Sequence, residues 1–552
     1  MAKFLRVYRD FSGGLSEAAN DNIKDNELVE ARNIMPGDGY GITRACGTTI
    51  AYPKVSVDYP QLNKVVRLFE TGEMANGNSY LFLWYNIPDG LEAWYRYNTS
   101  REGWDLVDWE ILAIKDWFFY AGYFYWLDGQ NFKRYSGMAS GPMNIEPMGS
   151  SATDEEQALW EKVKKAIAVE QRGQRWFYAT TDNEIIFSEV GYPNKFNPTN
   201  IINVSGKTGD TITALHEFNE GLLIFMKHSV YYLAGWDFAS GSDIRLYNLN
   251  TSSGTAFPRS VCTADNGVFY LGSNGVYRIS LSSQTLAVVS ENISEGKISG
   301  RLYNEGTILD AHAIVWDNAY YLSVEKEIPQ TTESGSTYTT TVEYEYRYLF
   351  KEKAFFGEFT QGSSCYAIGL GGENALFMGC ANGYILRYDP NSCNYIDPLT
   401  GESIAIDAVA RTKCYDIAGS LAQEVRLQRL EVAARQFSDE SSSFTLQIQA
   451  DYDALAWNTE LEWNANTDES LVYGEGLLGV GVWGWQDTVT KEMVVRRRCK
   501  RLQFIITGDT TGEPLLIYGF AVLCRKKRVK GSRRGVSAAS ASPGTDQGGG
   551  TG

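Results

Sequence analysis

The chain has 552 residues, 43% hydrophobic and 13% aromatic, with 54 glycines, so it can bury a large core and favours sheet and tight turns over helix. Its net charge of −17 excludes general binding of nucleic acid through neutralised phosphates. A negatively charged channel surface could let DNA slide past without binding, but the charge is also explained by simple solubility. No stretch approaches roughly 20 apolar residues, so no membrane-spanning segment is expected, nor is a signal peptide. The eight cysteines lack C-x-x-C spacing and are expected to be free thiols.

Residues 1–60 are polar, broken by turns and rich in Asn, Asp and Gly. This composition predicts an extended N-terminal arm that can reach a neighbouring molecule. Within it, the segment 20–34 could hold one short helix with Asp25 or Asn26 as its N-cap.

From about residue 61, short aromatic and β-branched runs separated by turn residues predict consecutive hairpins. Asn274-Gly275 and Asn382-Gly383 favour tight turns, because both residue types adopt the positive φ angles that such turns need. The predicted strand pairs are 117–120 with 123–127, 176–179 with 185–188, 222–226 with 230–233, 268–271 with 276–279, and the runs flanking 381–383.

Such hairpins recur at intervals of roughly 40–60 residues, and each is too small to bury its own faces. Units of this kind usually stack around an axis, so we predict an all-β fold with a degenerate β-propeller of six to eight blades over 61–395. The exposed-looking aromatic runs are better explained by packing between blades than by sugar binding.

Two insertions and two C-terminal regions complete the prediction. Residues 151–171 have the acidic start and apolar spacing of a single inserted helix. Residues 328–348 predict a projecting hairpin, with a disordered loop as the alternative. Residues 396–528 alternate apolar and polar side chains, which predicts a β-sandwich-like domain. Residues 529–552 predict a flexible tail. The basic run 525–534 overlaps its start and is either a solubilising feature or a contact for DNA or an acidic neighbour.

The sequence predicts no catalytic, cofactor or metal site. Its three histidines, His216, His228 and His312, are too few and too far apart for a metal cluster, and the usual catalytic and phosphate-binding motifs are missing. Gly369–Gly372 is expected to be a turn. The Trp236-Asp237 and Trp316-Asp317 dipeptides lack the Gly-His partner of WD40 repeats and are expected to end strands.

Three stretches together resemble structural proteins of tailed phages. The first contains D-F-S-G-G-L at 10–15, D-N-E at 25–27, A-R-N at 31–33 and Arg44 with Gly47. The second contains F-S-E-x-G-x-P-x-x-F at 187–196, and the third is 251–280. The motif residues are Asp10, Phe11, Ser12, Gly13, Gly14, Leu15, Asn33, Arg44, Phe187, Ser188, Glu189 and Pro193.

The resemblance implies a propeller subunit of the tail nozzle or hub in short-tailed, podovirus-like phages. Its partners would be further copies of itself in a ring, usually a hexamer, the portal–adaptor ring above, and tail fibre, spike or needle proteins. The ring would retain the genome and then conduct the double-stranded DNA during ejection without binding it specifically. The resemblance implies a virion location, assembly in the host cytoplasm, and no cofactor or catalytic residue. A receptor-binding or polysaccharide-cleaving propeller of a tail fibre remains the alternative, and a cytoplasmic scaffolding propeller is a third possibility.

Overall fold

The fold was derived from a computed structural model of the chain. The structure describes residues 3–19, 22–55, 64–87, 91–110, 113–138, 141–148, 153–205, 209–235, 244–249, 253–264, 267–281, 288–331, 335, 337–380, 383–419, 423–435, 442–451, 458–463, 488–494, 498–509, 512 and 514–526. The predicted tail at 529–552 and the Trp236-Asp237 dipeptide therefore lie outside the described residues.

Five short strands occupy the first 52 residues and are shared between two domains. They are β1 (Lys3–Tyr8), β2 (Leu28–Arg32), β3 (Ile34–Pro36), β4 (Ile42–Arg44) and β5 (Gly47–Tyr52). This differs from the extended arm predicted from composition, because every one of these strands except β3 pairs with a strand from the C-terminal half of the chain. Likewise, the possible helix near Asp25 is instead a turn followed by β2, whose Leu28 pairs with Thr412 and is fully buried.

Seven four-stranded antiparallel sheets follow one another in the described part of the chain, and we number them as blades 1 to 7. Blade 1 contains β6 (Lys64–Glu70), β7 (Leu81–Ile87), β8 (Leu91–Asn98) and β9 (Gly103–Glu110). Blade 2 contains β10 (Asp116–Tyr120), β11 (Tyr123–Leu127), β12 (Phe132–Tyr135) and β13 (Met143–Asn144). Blade 3 contains β14 (Ala168–Arg172), β15 (Arg175–Ala179), β16 (Glu184–Phe187) and β17 (Ile201–Asn203).

The remaining blades have the same order, and the last is completed from the N-terminus. Blade 4 contains β18 (Ile212–Phe218), β19 (Gly221–Met226), β20 (Val230–Ala234) and β21 (Arg245–Asn248). Blade 5 contains β22 (Cys262–Ala264), β23 (Gly267–Leu271), β24 (Val276–Leu281) and β25 (Val288–Asn292). Blade 6 contains β26 (Thr307–Trp316), β27 (Ala319–Thr331), β28 (Thr337–Leu349) and β29 (Ala354–Phe359). Blade 7 contains β30 (Cys365–Ile368), β31 (Leu376–Gly379), β32 (Ile385–Asp389) and β5.

Buried apolar clusters join neighbouring blades and close the ring. Phe82 and Trp94 of blade 1 pack against Phe124 and Trp126 of blade 2, with the Trp94 and Trp126 rings 5.3 Å apart. Equivalent clusters join the following blades, and a last one packs blade 7 against blade 1. The described part of the chain thus contains a propeller of seven blades, within the predicted range of six to eight. The aromatic side chains of blades 1 and 2 pack between the blades, as expected.

Two short helices lie among the blades: α1 (Asp154–Val163) and α2 (Ser299–Tyr303). The α1 helix matches the one predicted over 151–171, although it ends earlier because Ala168 begins blade 3. Its N-cap Thr153 accepts a hydrogen bond from the Glu156 amide, and the Glu156 carboxylate accepts one from the Thr153 amide. Leu159, Trp160 and Val163 bury the inner face of the helix between blades 2 and 3.

The strands after blade 7 are β33 (Asn394–Ile396), β34 (Ser403–Ala405), β35 (Ala408–Thr412), β36 (Tyr415–Asp416), β37 (Val425–Arg435), β38 (Ser442–Ala450), β39 (Asn458–Trp463), β40 (Thr488–Val494), β41 (Arg498–Cys499), β42 (Arg501–Gly508) and β43 (Leu516–Lys526). Except for β33 and β34, which pair with each other, they form the predicted sandwich together with β1 to β4, in two sheets. One sheet has the order β3-β4-β43-β37-β40, with β1 on β43 and β41 on β37. The other has the order β2-β35-β42-β38-β39, with β36 on β42. The rings of Phe504 and Phe520 stack at 4.5 Å between the two sheets.

The structure bears out the hairpin pairs predicted from sequence in blades 2 to 5 and blade 7. The projecting hairpin is β27 with β28, which pair from Ala319 to Thr331 and extend beyond their neighbours β26 and β29. Trp316 ends β26 and is followed by a turn, as expected for a strand-end dipeptide.

Candidate functional site

The D-F-S-G-G-L stretch lies at the junction between the sandwich and blade 6. Phe11 and Leu15 are almost fully buried in the cluster that the two domains share. Asp10 accepts hydrogen bonds from the amide and hydroxyl of Ser12, at 2.9 and 2.6 Å, which fixes the turn before the glycines. The Leu15 amide donates to the carbonyl of Phe355 in blade 6 at 2.7 Å, so the stretch is attached to the propeller.

The two glycines allow the chain to approach its neighbours closely at this junction. A Cβ atom on Gly13 would lie 2.8 Å from the carbonyl oxygen of Asn26. Gly14 has a φ of +67°, and a Cβ there would lie 2.3 Å from the carbonyl oxygen of Phe355. Only glycine fits both the backbone conformation and the space at position 14.

Asn33 and Arg44 are also buried near this junction. The Asn33 side-chain amide donates to the Asp407 carbonyl at 2.7 Å and to the Thr360 hydroxyl at 3.0 Å. Its oxygen accepts from the Thr360 amide at 2.9 Å and from the Tyr395 hydroxyl at 3.2 Å. Arg44 ends β4, and its backbone amide donates to the Leu515 carbonyl at 3.2 Å.

The second group of motif residues lies in and after blade 3. Phe187 is buried between blades 3 and 4, and the Ser188 hydroxyl accepts a hydrogen bond from the Trp176 amide at 3.0 Å. Glu189 accepts from Asn200 at 3.2 Å, and the Pro193 carbonyl accepts from the Tyr178 hydroxyl at 2.8 Å. The motif residues thus occupy two separate places, and in each the buried members of the group join neighbouring parts of the fold.

Arg259 crosses the central channel of the propeller. It lies in the helical turn Pro258–Ser260 before blade 5. Its Nη1 donates to the carbonyls of Val66 in blade 1, at 2.9 Å, and Ser364 before blade 7, at 3.2 Å. Its Nη2 pairs with Asp310 in blade 6. The channel is therefore closed at this level to a polymer as wide as duplex DNA.

A cavity of about 560 Å³ lies in the channel beside Arg259 and contains acidic side chains. Burial, together with the nearby carboxylates of Asp116 and Glu217, raises the pKa of Glu170 to about 8. Burial also raises the pKa of Asp116, although its carboxylate accepts hydrogen bonds from the Val169 and Trp117 amides, at 2.8 and 2.9 Å, which oppose the shift. At neutral pH the Glu170 carboxyl is mostly protonated, so the channel carries less negative charge than its residues suggest.

A second cavity, of about 710 Å³, contains a pair of carboxyl groups on the projecting hairpin. Glu325 and Glu343 are directly opposite each other on β27 and β28. Lys64 lies 2.6 Å from Glu325 and 3.9 Å from Asp310. Burial and the neighbouring Glu325 raise the pKa of Glu343 to about 7, against the lowering effect of Lys64. The pair thus places the readily protonated carboxyl group of Glu343 beside the ion pair that Glu325 forms with Lys64.

The predicted absence of metal chemistry can be examined only in the described residues. Among these, no cluster of His, Cys, Asp and Glu could hold a metal ion. Burial lowers the pKa of His216 to about 4, and its Nε2 lies 2.6 Å from the Thr263 hydroxyl. Burial also lowers the pKa of His312, which contacts the Ser363 hydroxyl at 3.1 Å, whereas His228 lies in an exposed turn. None of the eight cysteines, all of which lie among the described residues, forms a disulfide.

The stretch Gly369–Gly372 is a turn, as expected, and its Gly371 amide is already hydrogen-bonded within the protein. The Gly371 amide donates to the carboxylate of Glu70 at 2.7 Å. In the part of the chain that the structure describes, no helix is long and apolar enough to cross a membrane. The sequence interpretation did not identify the residues that line the channel cavity. Charged residues within the first strand of a blade, such as Arg67 in β6 and Glu170 in β14, could have indicated them.

Comparisons with known proteins concern the fold alone. No protein-family model matches the sequence, and a search of curated proteins gives no match. Similar solved structures include the computationally designed Ika8 protein, with 8% identity, a TM-score of 0.33, and coverage of 61% of this chain and 99% of that one. The extracellular domain of BT4673 from B. thetaiotaomicron has 11% identity and a TM-score of 0.37, covering 91% and 64%. The Neurospora crassa Pan2 WD40 domain has 8% identity and a TM-score of 0.32, covering 62% and 89%.

Proposed function

We propose that the protein is a structural subunit of a phage virion, forming the nozzle or hub ring of a short tail below the portal–adaptor complex. The observation that carries the proposal is the position of the D-F-S-G-G-L stretch. Its Phe11, Gly14 and Leu15 are buried at the junction of propeller and sandwich, where they fix the two domains together. A motif of this kind maintains a shape, as an assembly subunit needs, and holds no reactive group in a cleft.

The closed channel supports a conduit formed between copies of the chain. Because Arg259 crosses the axis of the propeller, DNA would pass through a lumen that several subunits surround, in a hexameric ring by the resemblance. The net charge of −17 would repel the DNA backbone and keep the genome from adhering during ejection. In this proposal the protein is not an enzyme, needs no cofactor, and contacts tail fibre, spike or needle proteins. It is assembled in the host cytoplasm and resides in the virion tail.

Electron microscopy of the purified protein, alone and mixed with a portal–adaptor complex, tests this proposal. We expect an annulus wide enough for duplex DNA that docks below the adaptor. A protein that stays monomeric under both conditions would contradict the ring, and with it the role as a conduit.

One observation favours a second candidate, a polysaccharide-cleaving propeller of a tail fibre. Glycoside hydrolysis uses two neighbouring carboxyl groups, of which the general acid has a raised pKa. Glu343 and Glu325 are directly opposite each other beside a cavity, and the pKa of Glu343 is raised to about 7. This candidate predicts release of reducing sugars from host polysaccharide, lost in Glu343→Gln and retained in the exposed control Glu373→Gln. No release by the wild-type protein would exclude it for the polysaccharides tested.

A further inference from the structure

Four basic residues lie side by side at one end of the sandwich. Lys3 of β1 is opposite Arg525 of β43, Arg525 is opposite Arg426 of β37, and Arg426 is opposite Arg498 of β41. All four are exposed, and among the described residues none forms an ion pair with a carboxylate. We call these four residues the basic row. Like charges directly opposite each other destabilise a sheet, so the row has a cost that folding does not explain.

Protection of the sheet edge explains only part of the basic row. Charged residues on edge strands prevent unwanted strand pairing. Lys3 on β1 and Arg498 on β41 fit this role, because each of these strands has a single neighbour. Arg525 and Arg426, however, lie on β43 and β37, which are paired on both sides at this end of the sheet. Protection of the sheet edge therefore does not explain why arginines occupy these two central positions.

Exposed apolar side chains adjoin the basic row and point to a protein partner. Leu5 and Val7 are two and four residues after Lys3 on β1, so all three side chains lie on the same face of the sheet. Leu5 is 52% exposed and Val7 is 45% exposed. Leu5 is opposite the half-buried Leu523. Exposed apolar patches mark protein interfaces, whereas a phosphate backbone gains nothing from aliphatic side chains. The mixture of charge and apolar surface thus favours a protein over nucleic acid.

We propose that the basic row, with Leu5 and Val7, is the surface that docks onto an acidic surface of a second copy of this chain. The inference rests on the proposed function as a ring subunit and names the contact that builds the ring. A second copy has the complementary charge, since acidic residues number 67 against 50 basic ones. Two copies facing each other through the same surface would bring their basic rows together and repel. The contact is therefore head-to-tail, the type that closes into rings.

The double variant Arg426→Glu/Arg525→Glu tests the docking surface by sedimentation velocity. At about 50 mM salt the wild-type protein should form oligomers that dissociate at about 1 M, where charges are screened beyond about 3 Å. The variant should associate at least about tenfold more weakly, because two attractions become repulsions. The control Arg101→Glu reverses an exposed charge on the turn after β8 and should assemble like wild type. Circular dichroism checks that each variant is folded.

Several outcomes would overturn this inference. They are a double variant that assembles like wild type, assembly that does not respond to salt, and a wild-type protein that stays monomeric at about 50 mM salt. If replacing Lys530, Arg533 and Arg534 by Ser abolishes assembly while the double variant still assembles, the contact belongs to these three residues and not to the basic row. Binding of a short DNA duplex by monomeric wild type, lost in the double variant, would make the partner nucleic acid.

The docking surface and the proposed function can fail separately. If the double variant still forms a ring on the portal–adaptor complex, the basic row is not the ring contact, and the proposed function stands. If the basic row joins copies in solution but no ring forms on that complex, the contact stands and the tail role is wrong. The two results come from different mixtures of the same purified proteins.

Discussion

Asn33 connects three distant parts of the chain through one buried side-chain amide. It contacts Thr360 after blade 6, Tyr395 in β33 and Asp407 before β35, and it has a left-handed backbone with a φ of +50°. Asparagine tolerates this conformation better than most residues and supplies both donors and acceptors. From a fully buried position, this one residue thereby pairs with a backbone donor of Thr360, a backbone acceptor of Asp407 and the buried Tyr395 hydroxyl.

We predict that Asn33→Ala lowers the free energy of unfolding by about 3 kcal/mol, since it removes the hydrogen bonds of a fully buried side chain to Thr360, Tyr395 and Asp407 and keeps the backbone strain. Denaturant unfolding measures the change. The matched control is Asn219→Ala, at an exposed turn with a φ of +52°, which should cost only about 1 kcal/mol of strain. Equal losses in both variants would mean that the hydrogen bonds of Asn33 contribute nothing.

Two buried carboxyl groups predict that stability falls as pH rises. Burial raises the pKa of Glu343 from 4.5 to about 7 and that of Glu170 from 4.5 to about 8. Because their folded-state pKa values are raised, the folded protein holds these protons more tightly, and this contribution is lost as pH rises through 7 and 8. Glu170→Gln/Glu343→Gln should therefore unfold like wild type near pH 4.5 and at a higher temperature near pH 8. Thermal unfolding across this range measures the difference, and parallel curves would contradict the shifted pKa values.

At the scale of elements, local patterns predicted what depends on local contacts. Hairpins such as 222–226 with 230–233 were correct, because alternating apolar residues and a short turn fix their pairing. The strands β1 to β5 were missed because β1 pairs with β43 and β5 with β32, over separations that no local pattern reports. For the same reason, the sequence identified the motif residues but could not indicate that Asn33 meets Thr360, or that Arg259 meets Asp310.

The α1 helix depends on its capping box, and Thr153 is its most sensitive position. We predict that Thr153→Ala lowers the free energy of unfolding by about 1 kcal/mol, because the amide of Glu156 loses its acceptor. Thr153→Ser keeps the hydroxyl and should be nearly neutral. Denaturant unfolding compares the two variants. If they are equally stable, the cap does not stabilise the packed helix.

At the scale of the whole molecule, the N-terminal segment joins the two domains into one unit. The β1 to β4 strands complete the sandwich, while β5 completes blade 7 and closes the propeller. In the segment between β1 and β2, Glu27 forms an ion pair with Lys297 at 2.6 Å. In the same segment, the Glu17 carboxylate accepts a hydrogen bond from the amide of Gly300, in α2, at 2.7 Å. One apolar cluster contains residues from blades 5 and 6 and from both sandwich sheets. We therefore expect the two domains to unfold together.

Scanning calorimetry tests this coupling, with Gly14 as the position that controls it. Wild type should show one transition with equal calorimetric and van't Hoff enthalpies. Gly14→Ala forces a Cβ to 2.3 Å from the Phe355 carbonyl oxygen, so the junction must open and the transition should split in two. The matched control is Gly39→Ala, which has nearly the same φ, +66°, but nothing within 4 Å, and it should keep a single transition. A single transition in Gly14→Ala would mean that the shared cluster alone couples the domains, and two transitions in wild type would mean that they are independent.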